Sequence, residues 1–241
     1  MNKNLRAGYS LIVVIIIFAV LAFLGYLGVQ KALDTAVETG KKEYEGTPIQ
    51  AFVDGGVEDM QAAQQNIDSI RALWEAVGKG NTEEVRMFLG PDTNVNIRNS
   101  AGATMLHQVA QKGYIEIARI LCKNGADVAI KNKQGVTALH SALSAKKPNI
   151  KMVTLLLDEW ADVDAKDNTG QTPMHLAAQN ADAEILQILI DDGADINPKN
   201  KNGDRPLTIV TDALDNDNLG TTAIARLKKN AKLLSDNGAK K

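Results

Sequence analysis

Apolar residues recur at the three- and four-residue steps of a helix along most of this chain, and this pattern itself repeats. A T-x-x-H motif opens at three positions that are 33 and 35 residues apart, Thr104, Thr137 and Thr172. A Gly-Ala-Asp or Trp-Ala-Asp triplet follows in each copy, starting at Gly125, Trp160 and Gly193. A period of this length is typical of two-helix units stacked in a row. The pattern therefore predicts repeated units of helix, turn, helix and tight turn.

The copy at 167–197 carries the clearest local signals. Thr172 can cap a helix by accepting from the backbone N–H of its third residue, and Pro173 suits the first helical position, where no N–H is needed. Apolar residues crowd a second helix at 185–190. Gly193 can take the left-handed conformation that ends this helix. These signals place both helices of the unit and its closing turn.

The segment 171–178, Gln-Thr-Pro-Met-His-Leu-Ala-Ala, resembles the ankyrin-repeat signature T-P-L-H-x-A. The resemblance covers roughly residues 66–240. It implies an all-α ankyrin solenoid of about five helix-turn-helix units with short β-turns. The predicted units are unit 1, a capping helix with a degenerate repeat, at 57–98; unit 2 at 99–131; unit 3 at 132–166; unit 4 at 167–199; and unit 5, a C-terminal capping repeat with an insertion, at 200–241.

A run of 23 residues without a charge, 7–29, precedes the units. As a helix it would reach about 35 Å, enough for a hydrocarbon core of about 30 Å. We therefore predict one transmembrane helix, with a head at 1–6 before it and a helical extension and linker at 30–56 after it. A cleaved secretory signal is the alternative, but its apolar core would be shorter and end in small residues. Lys3 and Arg6 favour a cytoplasmic head, which puts the units on the other side of the membrane, the periplasm in a bacterium.

The start of this run also resembles the cleavage region of type IV prepilins. A short basic leader is followed by Gly-Tyr-Ser-Leu-Ile, beginning at Gly8. Those proteins usually carry Glu where this chain has Val13; the missing acid argues against pilus assembly but does not argue against processing between Gly8 and Tyr9. A pilin-like structural subunit or tip component is thus an alternative to an ordinary anchor.

Composition and motifs favour no catalytic chemistry. A net charge of −2 and few aromatic residues provide neither a basic bias nor a stacking platform for nucleic acid. The resemblance makes His107, His140 and His175 structural, and units stacked about 10 Å apart could not bring them to one zinc ion. Cys122 falls at a core position of a second helix. The insertion in unit 5 partly matches a calcium-binding loop, but Arg226 stands at the position where such a loop needs Glu. We predict no enzymatic activity, no metal and no cofactor.

Protein binding is the function that the resemblance implies, with partners held by the turn tips and the concave face of the first helices. Such a chain would be a scaffold or adaptor, or alternatively a regulator or immunity-type inhibitor of a partner enzyme. Mapped onto this sequence, the candidate partner-binding residues are Arg98, Lys112, Lys131, Lys133, Gln134, Trp160, Lys166, Asn168, Thr169, Gln171, Lys199, Lys201 and Asn202.

Charge is distributed unevenly within the units. The position just before each turn tip is a cation in four successive units, and two of the tips carry a further Lys two residues later, at Lys133 and Lys201. We call all six residues the basic column: Arg98, Lys131, Lys133, Lys166, Lys199 and Lys201. We expect this column to attract an acidic partner surface, or anionic lipid headgroups if the linker lets the units fold back. The loops after the second helices are acidic in units 3 and 4, at Asp158, Glu159, Asp191 and Asp192.

Trp160 breaks the pattern of these loops, because it stands where the flanking units have a helix-ending Gly. A bulky residue is strained in the left-handed conformation. We therefore expect either an altered local geometry or a ring packed on the adjacent unit, with an exposed anchor for a partner as the alternative.

Overall fold

The computed structural model describes residues 68–90, 93–180, 183–215 and 219–240, and the only regular elements among them are α-helices. The first, α1, covers 68–79. The others are α2 (Thr82–Phe88), α3 (Met105–Lys112), α4 (Ile115–Lys123), α5 (Ala138–Leu143), α6 (Ile150–Asp158), α7 (Pro173–Asn180), α8 (Ala183–Asp191), α9 (Pro206–Leu214) and α10 (Thr221–Asp236). The predicted all-α fold is confirmed for these residues.

The helices form two stacked rows. The first helices of units 2 to 5, α3, α5, α7 and α9, pack on one another in chain order, and so do the second helices α2, α4, α6, α8 and α10. Within each of units 2 to 5 the first helix also packs on the second. Each unit therefore buries its apolar surface against its neighbours, which is how a solenoid obtains a continuous core.

Helix α8 shows how the sequence produces this packing. Ile185, Leu186 and Leu189 recur at three- and four-residue steps and are buried. The helix ends where Gly193 takes φ 87° and the Ala194 N–H donates to the Leu189 carbonyl at 2.9 Å. This is the left-handed helix ending that glycine makes easy.

Unit 5 closes the stack with a longer helix. Helix α10 has 16 residues, whereas α8 has 9. Its Asn230 is fully buried and donates from Nδ2 to the Ala178 carbonyl at 3.0 Å, near the end of α7. A helix end leaves carbonyls without intrahelical partners, and here the next unit satisfies one of them. The predicted insertion lies between α9 and α10, and its residues 216–218 are outside the described residues.

Trp160 differs from both structural expectations. It keeps the left-handed conformation, with φ 65°, so the local geometry is not altered. Its side chain is 90% exposed, so the ring is not packed on the adjacent unit. Both expectations were wrong because the helix in unit 3 ends in the same way as the helix in unit 4. The Ala161 N–H donates to the Leu156 carbonyl at 2.9 Å, as the Ala194 N–H does to the Leu189 carbonyl.

Several predictions fall on residues that the structure does not describe. These are the head at 1–6, the transmembrane helix at 7–29, the extension at 30–56, the part of unit 1 at 57–67, and the processing site at Gly8 and Tyr9. Within the described ranges, none of the helices combines the length and the apolar character needed to cross a membrane.

Candidate protein-interaction surface

The three His side chains join consecutive units through one recurring arrangement. In each, Nδ1 lies next to the backbone N–H and the hydroxyl of the Thr three residues earlier; for His107 these distances are 3.1 and 2.9 Å to Thr104. Nε2 reaches a backbone carbonyl of the next unit: Val136 at 3.0 Å for His107, Gln171 at 3.2 Å for His140 and Asp204 at 3.2 Å for His175. The first helix of one unit is thereby tied to the turn of the next.

This arrangement fixes the chemical state of the rings. A carbonyl only accepts, so Nε2 must carry the proton and Nδ1 must accept from Thr. All three rings are buried. Burial is the main reason that the pKa values of His107, His140 and His175 lie below the ordinary 6.5. Both nitrogens of each ring are thus engaged with protein groups, which supports a structural role over metal ligation.

The turn tips of successive units are joined by backbone hydrogen bonds. The Lys133 N–H donates to the Ala101 carbonyl at 3.0 Å, Asn168 N–H to Gln134 at 2.9 Å and Lys201 N–H to Thr169 at 2.9 Å. Glycine makes this approach feasible: a Cβ on Gly135, which has φ 77°, would lie 2.7 Å from the Asn168 nitrogen. We call these three bonds together with the three His contacts the inner seam.

Within each tip, an Asn or Asp side chain satisfies the turn. Asn132 Oδ1 accepts from the N–H groups of Gln134 and Val136, and Asp167 Oδ1 accepts from those of Thr169 and Gln171. Because the backbone is satisfied inside the stack, the side chains at the tips can face solvent. The exposed candidates at the tips themselves are Lys133, Gln134, Asn168, Thr169, Lys201 and Asn202.

Some of these candidates also have contacts within the stack. Asn168 Nδ2 donates to the Lys133 carbonyl at 2.8 Å, and the Thr169 hydroxyl donates to Asp167 at 2.7 Å. Gln171 is half-buried, and its carbonyl accepts from the His140 ring at 3.2 Å. Lys133, Gln134, Lys201 and Asn202 therefore form the part of the tips that is most accessible to a partner.

The basic column has a structural role that its sequence does not reveal. Arg98 donates from Nη1 to the carbonyl of Lys131 at 3.1 Å, and Lys131 donates from Nζ to the carbonyl of Lys166 at 2.9 Å. Each of these cations is therefore held against the next member of the column. Lys166 and Lys199 are exposed, and their ammonium groups make no hydrogen bond to another described residue.

Lys112, another candidate, contacts unit 1. Its Nζ donates to the Gly78 carbonyl at 2.7 Å and lies 5.7 Å from the centroid of the Tyr114 ring. A cation near a helix end and over an aromatic face is stabilised by both. This side chain therefore ties the end of α1 to unit 2 and contributes less to an open surface.

No ion pair between described residues neutralises the basic column. The ion pairs between described residues are Arg71–Asp68 and Lys79–Glu75, both within α1. Asp158, Glu159, Asp191 and Asp192 are exposed in the loops after α6 and α8. Within the described part of the chain, the tips thus present cations and the outer loops present carboxylates that form no ion pair, and each set can attract an oppositely charged partner.

The outer loops carry a second set of contacts between units, which the sequence analysis missed. Asn96 donates to the Gly125 carbonyl at 2.9 Å and accepts from the Asp127 N–H at 2.8 Å. Asn197 bonds in the same way to the Gly238 carbonyl and the Lys240 N–H, and Asp164 accepts from the Asp195 N–H at 3.0 Å. We call the contacts of Asn96, Asp164 and Asn197 the outer seam. In the sequence, the outer seam is marked by an Asn or Asp two residues before Arg98, Lys166 and Lys199.

Chemistry at the remaining candidates is limited. Burial raises the pKa of the half-buried Cys122 thiol to about 11. A thiol with this pKa is almost wholly protonated near neutral pH, and the thiolate is the reactive species. The described residues include no group of three or more His, Cys, Asp or Glu side chains arranged to hold a metal ion.

Comparison with known proteins agrees with this architecture. The family model described as ankyrin repeats (3 copies) matches residues 29–132, 73–167, 124–200 and 143–240. A search of curated proteins gives no significant match. Ankyrin repeats are modules of protein–protein interaction, and the inner seam, which leaves polar and cationic tips exposed, is suited to that role. Because the matched segments cover most of the sequence, the chain belongs to the ankyrin-repeat family.

Proposed function

We propose that this chain is a membrane-anchored scaffold or adaptor that binds the acidic surface of another protein along the basic column. The observation that carries the proposal is the row of exposed cations at successive tips, none of which pairs with a carboxylate among the described residues. Their spacing of about 10 Å is close to the screening length at 0.1 M salt, so they act as a shared field.

The hydrogen bonds of Arg98 and Lys131 support this reading. Each side chain is held by a carbonyl of the following unit while the residue stays exposed. A long flexible cation usually loses side-chain entropy when a partner orders it. Two members of the column are already partly ordered, which reduces that loss.

The binding surface is tested by association kinetics. A partner is first captured on the full chain from solubilised membranes and identified by mass spectrometry. Replacing Lys131, Lys166 and Lys199 together by Gln is then expected to slow association by about tenfold at low salt and to flatten its salt dependence.

A matched control removes the same charge elsewhere. Lys228, Lys229 and Lys232 are exposed on α10, away from the tips. Their triple replacement by Gln should leave the association rate nearly unchanged. An equal loss in both variants, or none in the first, would contradict binding at the column. The identity of the captured partner separates an adaptor from a regulator of an enzyme.

Membrane anchoring is proposed from the uncharged run at 7–29. The full chain should stay with membranes under alkaline carbonate extraction, and a variant without residues 1–29 should not. Protease added to sealed membrane vesicles, before and after permeabilisation, tests which side carries the units. A mature chain that begins at Tyr9 would instead support the pilin-like alternative.

A further inference from the structure

Trp160 combines a strained backbone with an exposed ring. Its φ of 65° is the only positive value at a residue other than glycine among the described residues, and its neighbours in the pattern are Gly125, Gly193 and Gly238, with φ between 83° and 87°. The indole is 90% exposed, so little packing within the chain offsets the strain. Strain that is kept without local compensation is characteristic of functional positions.

The loop that carries Trp160 is also the one that the outer seam leaves open. Asn96 and Asn197 each bond a carbonyl and an N–H of the following loop. Ala129 occupies the corresponding position before the Trp160 loop and has no polar side chain. Among the described residues, the Trp160 carbonyl and the Asp162 N–H consequently have no partner in unit 2. A backbone donor and a backbone acceptor without a partner in unit 2 thus belong to Trp160 and Asp162, which are both exposed residues.

The charged residues within this loop are all acidic, whereas the cations Arg119 and Lys151 lie on the α4 and α6 side, where they line one pocket with Asp158. Asp158, Glu159 and Asp162 are exposed in unit 3, and three further exposed carboxylates, Asp191, Asp192 and Asp195, lie in the same loop of unit 4. None of these carboxylates forms an ion pair with a described residue. Anionic lipid headgroups would be repelled from such a surface, whereas a cationic protein surface would be attracted.

We propose that the loop 158–162 is a second protein-binding site, for a basic segment that places an apolar pocket over Trp160 and Lys or Arg side chains against the surrounding carboxylates. Tryptophan is among the residues that most often dominate the affinity of an interface. The partner's backbone can pair with the Trp160 carbonyl and the Asp162 N–H. This site differs in position and in sign from the basic column, so the chain can hold two partners of opposite charge at once.

The test is selection of a random-peptide display library on the purified full chain. Enriched peptides are expected to combine a large apolar residue with Lys or Arg. Trp160→Gly should weaken the binding of such a peptide by about thirtyfold or more, the loss expected of a dominant interface residue. The variant should fold, because Gly occupies this position in the flanking units.

Two more variants separate the contributions of charge and backbone. Asp158→Asn with Glu159→Gln should slow association and reduce its salt dependence, whereas Glu184→Gln with Asp236→Asn removes the same charge at exposed positions outside the loop and should not. Ala129→Asn should also weaken binding, because the new side chain would occupy the two backbone groups.

Several outcomes would overturn the proposal. These are the enrichment of acidic peptides, the absence of any enrichment, or peptides that bind Trp160→Gly as tightly as the parent chain. Sedimentation of the full chain gives a further check: self-association that disappears in Trp160→Gly would assign a second copy as the occupant, in place of a different protein. A shift of Trp160 fluorescence to shorter wavelength on peptide binding, measured in a Trp74→Phe background, would support burial of the indole.

Discussion

The inner and outer seams join the same units, but they differ in continuity. The inner seam is complete at the three interfaces between units 2 and 5, with a His contact and a tip contact at each. The outer seam is interrupted between units 2 and 3, where Ala129 replaces Asn or Asp. The comparison shows that continuity of the stack is maintained on the buried side, where an unsatisfied group is costly, while the exposed side can lose contacts.

The largest expected effect comes from the core beneath both seams. Leu156 in α6 and Leu189 in α8 are both fully buried at equivalent positions, four residues before Trp160 and Gly193. Leu156→Ala and Leu189→Ala should each lower the free energy of unfolding by about 2–5 kcal/mol, as large-to-small core changes do. Urea unfolding followed by circular dichroism measures both. A loss below about 1 kcal/mol in either variant would contradict the burial of these two leucines between the stacked units.

Breaking the inner seam should have the next largest effect. His140→Ala leaves the Gln171 carbonyl without this donor and the Thr137 N–H without this acceptor. Buried groups left unsatisfied cost about 1–3 kcal/mol. The matched change in the outer seam, Asn96→Ala, concerns exposed groups and should cost less, as judged by the same urea titration. Equal losses would mean that the two seams do not differ in energy.

Acid should weaken the inner seam in particular. The pKa values of His107, His140 and His175 are lowered by burial in the folded state. Below about pH 6.5 the unfolded chain therefore binds more protons than the folded chain, so stability is fully present above that pH and falls as pH decreases. The urea midpoint should decline from about pH 7.5 to 5.5, with a shallower decline in His140→Gln, which has one buried imidazole fewer. A midpoint independent of pH in this window would argue against lowered pKa values of these His residues in the folded state.

Relieving the strain in the outer loop should stabilise the fold. Trp160→Gly removes a left-handed conformation that costs an L-residue about 1–2 kcal/mol, partly offset by the greater freedom of glycine in the unfolded chain. We expect a net gain of about 1 kcal/mol in urea unfolding. Gly193→Trp, the reverse change in unit 4, is the control and should destabilise. A lower midpoint for Trp160→Gly would show that the indole is supported by the fold.

The smallest expected effect is the repair of the outer seam. The Ala129 N–H donates to Asp127 Oδ1 at 2.8 Å, and the Asn96 N–H donates to Asn94 in the same local turn at 2.9 Å, so Asn fits the backbone at 129. Ala129→Asn should add about 0.5–1 kcal/mol by bonding the Trp160 carbonyl and the Asp162 N–H. Ala129→Ser, with a shorter side chain, should add nothing. An unchanged midpoint with Asn would show that the loop of unit 3 lies out of reach.

Local signals predicted much of the helical part of the fold. Thr172 and Pro173 mark the start of α7, and the residues at 185–190 mark α8, because capping and apolar periodicity act within a few residues. The period of the T-x-x-H motif placed the His residues in one column. The candidate surface was only partly predictable, since the sequence identifies the exposed tips but not the atoms that their side chains reach.

The sequence by itself determined the family, the helical units and the column of cations, since these follow from patterns that repeat every 33 to 35 residues. Only the tertiary structure decided that Arg98 and Lys131 bond the next unit, and that Trp160 is strained and exposed. The physical reason is distance along the chain: the bonds between units join residues that lie between 29 and 52 positions apart. Stacking decides whether such atoms meet, and no local preference encodes it.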